Sequence, residues 1–170
     1  LWMRVDSNAM DGQYRQIFHK GPSNSTRGPG LWLHNNKIFT AVSRPEDPLG
    51  NLVTNGTNYS TRTLAIGEWV HVAVRKESSR ITLFLDGIKD SSFDLLGPPP
   101  VINGPIVLGR HPAITSYQAA PMSVTRLTIW DRALDTTEIR KLSGPMFTMP
   151  KTIYVASDAS SVETNAAAQL

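Results

Sequence analysis

Apolar and polar side chains alternate with a period of two through most of this chain. Short runs rich in Val, Ile, Leu, Phe, Thr and Trp are bounded by Gly, Pro, Asn and Asp. That period puts successive side chains on opposite faces of an extended backbone and predicts strands separated by tight turns. Leu1 to Asp6 and Tyr14 to Lys20 read as the first two strands, followed by a loop from Gly21 to Gly30. Leu31 to His34 then meets Lys37 to Val42 across Asn35-Asn36, residues that tolerate positive φ, so a hairpin is predicted. Residues 43–60 carry Pro45, Pro48, Gly50 and Gly56 among polar side chains and read as a long surface loop. The stretches Trp69 to Lys76 and Arg80 to Leu85 alternate most cleanly and predict two paired strands, with Asp86-Gly87 making the next turn. Gly97 to Pro100 must be loop, because proline has no amide for a ladder. Val101-Ile102 and Ile106 to Gly109 flank Asn103-Gly104, and Val124 to Trp130 reads as the last strong strand.

Only Asp135 to Leu142 changes period. Asp135 stands as N-cap with Glu138 three residues on, basic side chains lie near the end, and Gly144-Pro145 stops the helix. Many short strands and one short helix predict an all-β sandwich or barrel over residues 1–145. The chain opens in mid-pattern at Leu1-Trp2-Met3, which reads as a strand already under way, so the sandwich is expected to lack its first strand. Residues 146–170 are expected to form an extended tail that orders against a neighbour, with Thr152 to Ala156 suited to adding a strand to a sheet edge.

Composition narrows the function classes. Apolar residues make up 40% of the 170 and charged residues 18%, enough to bury a core without staples, and there is no cysteine for disulfides or thiolate sites. The net charge of +3 is spread along the chain and forms no basic patch, so nucleic acid is not an expected partner. No run approaches the roughly 20 apolar residues that cross a bilayer, and this segment is not expected to insert into a membrane.

Two motifs then carry a family resemblance. Gly67-Glu68-Trp69-Val70-His71-Val72-Ala73-Val74 is followed by Leu83-Phe84-Leu85-Asp86-Gly87, and Leu127-Thr128-Ile129-Trp130-Asp131-Arg132-Ala133-Leu134 by Glu138-Ile139. In that order, with Ile106 to Gly109 between them, they resemble the laminin G-like group of concanavalin A-like sandwiches, to which pentraxins also belong. The resemblance implies an all-β, two-sheet antiparallel jelly-roll sandwich of the lectin-like kind, with one short C-terminal helix, and a recognition function. The residues themselves read more simply: Trp69 and Trp130 as core anchors, and His71 as a buried imidazole sharing the face of Trp69.

Chemistry beyond the fold is sparse. The resemblance leads one to look for an Asp before the last strand, where Val124-Thr125-Arg126 stands instead. Glu46 and Asp47 are the best scattered carboxylates and read as a solvated acidic turn, so no cofactor is expected and Ca²⁺ is not supported. No strand carries alternating carboxylates of the glycosidase kind and no nucleophile elbow accompanies the four histidines, so an enzyme is not expected.

Two readings remain. In the first, the loops 21–30, 44–60 and 110–120 bind a glycan or protein ligand, with Asn51, Asn55, Asn58, Tyr59 and Tyr117 as candidate contacts. Asn24, Asn55 and Asn58 also head N-glycosylation sequons, although adjacent glycans at Asn55 and Asn58 would crowd one another. These features fit an extracellular, cell-surface or virion protein. In the second, the domain is a structural block of a virus capsid or extracellular shell, joined to neighbouring subunits through its tail.

Overall fold

A computed structural model describes residues 1–23, 26–43, 58–97, 101–112 and 118–144. Among these residues nine strands and one helix follow in order: β1 (Trp2–Val5), β2 (Arg15–Lys20), β3 (Gly30–His34), β4 (Lys37–Ala41), β5 (Trp69–Glu77), β6 (Arg80–Leu85), β7 (Ile88–Asp94), β8 (Ile106–Leu108), β9 (Met122–Thr125) and α1 (Thr136–Leu142). They form two antiparallel sheets, one ordered β7-β6-β5-β1-β9 and the other β4-β3-β2-β8. The fold is the expected sandwich.

The turn chemistry explains the hairpins. Asn35 and Asn36 have φ of 50° and 54°, and Asp86 and Gly87 have 53° and 74°, the doubly left-handed pattern that matches strand twist. Between the sheets lies one core, in which Met3, Val5, Ile17, Leu33, Ile38, Val70, Val72, Ile81 and Leu83 are almost wholly buried. In β5 the inward residues are Val70 and Val72, which leaves Trp69 and His71 on the outer face. Trp69 is half-buried with the Arg4 guanidinium 5.4 Å from its ring, so its assignment as an inward anchor is corrected. His71 is buried as expected, against Trp2 at 5.4 Å.

A smaller cluster of Phe84, Leu134 and Ile139, with Ala73, seats α1 on the outer face of the five-stranded sheet. Asp135 accepts from the Glu138 amide, and the Glu138 carboxylate accepts from the Asp135 amide, completing the expected capping box. The Arg132 guanidinium, together with that amide, holds the Glu138 carboxyl down to about 2.

Three elements differ from the sequence reading. Ile88–Asp94 is a full strand beside β6, whereas the sequence marked only its turn. Val101 and Ile102 form no strand, and only Ile106–Leu108 pairs, with β2. The last strand ends at Thr125, because Arg126 takes a φ of 53° and turns the chain out of the ladder. Leu127, Ile129 and Trp130 beyond it are 36%, 57% and 47% exposed, so Trp130 is not a core anchor. Residues 126–134 and β5 thereby flank an open groove of about 750 Å³.

Candidate functional site

Alternation on the four-stranded sheet sends Leu31, Leu33 and Ile38 into the core and Trp32, His34 and Phe39 to the outer face. Trp32 sits directly opposite Phe39 across the hairpin, with ring centroids 5.5 Å apart. Segment 58–60 adds to the edge beyond β4: Thr40 N–H donates to Asn58 O at 3.0 Å and Ser60 N–H to Ile38 O at 2.7 Å. Tyr59 is thereby bridged to Phe39 and its ring packs 5.0 Å from it. Tyr14, just ahead of β2, stacks on His34 at 4.3 Å and 25° and meets the edge of Phe39 at 5.1 Å. The hydroxyls of Tyr14 and Tyr59 are hydrogen-bonded to each other. Five rings from four separate stretches of chain thus form one strip. Its Tyr14 end is open to solvent, with Tyr59, His34 and Phe39 half-buried beside it.

Deeper along the same face the strip becomes a buried polar-aromatic cluster. Trp32 is 3% exposed, with the Arg27 guanidinium 5.2 Å from its ring and His19 at its edge. A Cβ on Gly30 would come within 2.2 Å of the Trp32 ring, so glycine is what lets the indole lie flat on the strand. His19 contacts His111 at 4.5 Å. Burial, together with the nearby His111 and Arg27 charges, pushes the His19 imidazole down to about 4, and burial with Arg27 also lowers His111. Gln16, wholly buried on this face, donates through Nε2 to Phe18 O at 2.6 Å and Leu31 O at 3.0 Å across the bulge where β2 shifts register. The amide side chain satisfies carbonyls at the irregular step in the ladder.

Of the candidate ligand contacts, Asn51, Asn55 and Tyr117 lie outside the described residues, as do the sequon Asn24 and the carboxylates Glu46 and Asp47. Tyr59 is described and belongs to the strip, against the sheet instead of at a loop tip. Asn58 is 5% exposed with its Oδ1 buried, which argues against it as a ligand contact or glycan acceptor, since either role needs the side chain outside. Tyr14, His34 and Phe39 are site residues that the sequence reading did not single out. Hairpin arithmetic about Asn35-Asn36 could have found two of them, because it pairs Trp32 with Phe39 and leaves His34 on the same face. Among the described residues no group of three or more His, Asp or Glu is arranged to hold a metal ion, and no helix is long and apolar enough to cross a membrane.

Residues 1–140 match the sequence profile of the concanavalin A-like lectin/glucanases superfamily. No curated protein matches the chain in sequence. Among solved structures, a Trypanosoma rangeli sialidase in complex with 2,3-difluorosialic acid is similar with a TM-score of 0.54 at 14% identity, over 84% of this chain and 22% of the sialidase. A mutant of HCR/D gives 0.57 at 15% identity, over 84% of this chain and 35% of that one. The receptor binding domain of botulinum neurotoxin type G gives 0.50 at 12%, over 84% and 36%. The chain therefore spans about a fifth of the sialidase and about a third of the other two. The sialidase corrects one expectation: this fold occurs within an enzyme, so the exclusion of an enzyme drawn from the missing strand carboxylates does not stand. At these identities the likeness carries the fold and not the chemistry. The chain belongs to the concanavalin A-like lectin/glucanases superfamily.

Proposed function

We propose that the chain is a recognition module that binds carbohydrate through the open end of the aromatic strip. The observation that carries this reading is the group of Tyr14, His34 and Tyr59, three rings in contact at the sheet edge with polar atoms at their margins. Ring faces offer flat apolar area for the C–H face of a sugar, and hydroxyl and imidazole edges offer hydrogen bonds to its oxygens. Both tyrosines cost little entropy to hold, since each has few rotatable bonds and is already packed. Membership of a superfamily of lectins and glucanases supports the same reading. An extracellular or surface location is the setting in which such a module would meet glycans.

Glycan-array binding of the 170-residue chain beside Tyr59→Ala and Tyr14→Ala tests the proposal. Each truncation is expected to weaken binding about 3- to 10-fold, as loss of one aromatic contact does. Equal glycan binding by parent and both variants would remove the strip from consideration.

A further inference from the structure

Tyr59 reaches the strip on a segment that both sheets hold. On one side are its ladder bonds to β4 through Asn58 and Ser60, an isolated bridge too short to fix a segment by itself. The Ser60 hydroxyl accepts the Ile38 N–H at 3.0 Å and donates to Arg62 O at 2.7 Å, so the chain turns off the ladder directly after Ser60. On the other side stands Asp90 of β7, in the five-stranded sheet. Its carboxylate accepts the Thr61 N–H at 2.6 Å and the Arg62 N–H at 3.0 Å, one on each oxygen, and its carbonyl accepts the Thr61 hydroxyl at 3.3 Å. Asp90 is available for this because β7 bulges there. Leu83 pairs with Ser91 and Phe84 with Lys89, so Asp90 is the extra residue left between them. Regular pairing would set it opposite Phe84, on the outer face that α1 covers. The bulge takes it out of that alternation and re-aims its side chain.

We propose that Asp90 is a positioning residue for the sugar-binding edge: its carboxylate fixes the turn after Ser60 and, through it, the ring of Tyr59 beside Tyr14 and His34. The inference rests on the reading of the strip as the carbohydrate site. Two N–H groups at a turn need two acceptors, and a carboxylate offers one oxygen to each in charge-assisted bonds stronger than neutral ones. Asparagine would offer one oxygen and turn its NH₂ toward the second donor, and alanine would offer neither. Thr61 and Arg62 are exposed, so water can take over their amides when the carboxylate is lost. The fold then survives while the turn opens locally and Tyr59 loosens. Asp90 thus acts through the backbone of residues 61 and 62, without touching the sugar.

The test compares the 170-residue chain with Asp90→Ala, Asp90→Asn and, as a control on the helix side, Asp135→Ala. All are measured on one glycan array, and the Tyr14–Tyr59 contact is read from nuclear Overhauser cross-peaks between the two rings. Asp90→Ala is expected to weaken glycan binding at least about threefold, to speed hydrogen exchange at the Thr61 and Arg62 amides about tenfold and to lose the ring cross-peaks. Asp90→Asn, which keeps one acceptor, is expected to fall between the parent and Asp90→Ala. Asp135→Ala is expected to bind as the parent does, although it loses a helix cap. Intact ring cross-peaks in Asp90→Ala, or binding as tight as the parent's, would overturn the proposal. So would equal weakening by Asp135→Ala, which would mark a general loss of stability. Should Asp90→Ala not fold, parent-like exchange and cross-peaks in Asp90→Asn would overturn it in the same way. A parent that binds no glycan defeats the recognition reading alone; the ring cross-peaks then decide the role of Asp90, and their survival in Asp90→Ala overturns it.

Discussion

At the scale of single residues, the four tryptophans separate by environment in a way that stability measurements resolve. Trp32 is 3% exposed between Phe39, His19 and Arg27, whereas Trp130 is 47% exposed. Trp32→Ala is expected to cost about 3 to 5 kcal/mol and Trp130→Ala under about 1 kcal/mol, read from denaturant midpoints at unchanged slope. Comparable losses for the two would contradict the exposed placement of Trp130. Protonation offers a second handle. His19 and His71 are pushed from 6.5 to about 4, both chiefly by burial, His19 also by His111 and Arg27, and His71 against the opposing pull of Asp86. The unfolded chain therefore takes up more protons than the folded one as pH falls below 6.5. Stability from these rings is complete above 6.5 and is lost between there and about 4, by up to about 3 kcal/mol for each ring. Chemical denaturation at stepped pH should show this slope, reduced by roughly half in His71→Gln; an undiminished slope would rule that ring out as a contributor.

At the scale of elements, the helix is the clearest case of local code. Asp135→Ala removes a side chain that accepts the Glu138 amide, and a loss of about 1 kcal/mol is expected in thermal or denaturant unfolding. No loss would mean that packing of Ile139 and Leu134 alone holds the turn. The capping box, the Asn35-Asn36 hairpin and the Asp86-Gly87 hairpin were all legible in the sequence, because each depends on residues within a few positions of one another. The end of the last strand was not. Leu127 to Trp130 keeps a strand-like composition, but a strand exists only where a neighbour supplies hydrogen bonds, and Arg126 turns the chain away before one is reached. β7 was missed for the opposite reason: Lys89 to Ser92 is polar, and it is pairing with β6 that makes it a strand. The site was half legible. Tyr59 was picked out as a loop aromatic, but its partners Tyr14, His34 and Phe39 come from other elements, and only the packed sheet brings them together.

At the scale of the whole molecule, binding and assembly can be told apart by where they respond to change. If recognition resides in the strip, removing residues 145–170 is expected to leave glycan affinity within about twofold, because Tyr14, His34, Phe39 and Tyr59 make their ring contacts with one another. A tenfold loss on truncation would move recognition to the tail. The helix and the aromatic strip occupy opposite outer faces: Phe84, Leu134 and Ile139 cover the five-stranded sheet, and Trp32, Phe39 and Tyr59 lie on the four-stranded one. The domain therefore has a back and a front. Anything that fastens it from the helix side leaves the tyrosine edge pointing outward, so several copies mounted on one scaffold would all present that edge in the same direction. Weak single contacts would then multiply into tight attachment wherever the target repeats its own motif at a matching interval.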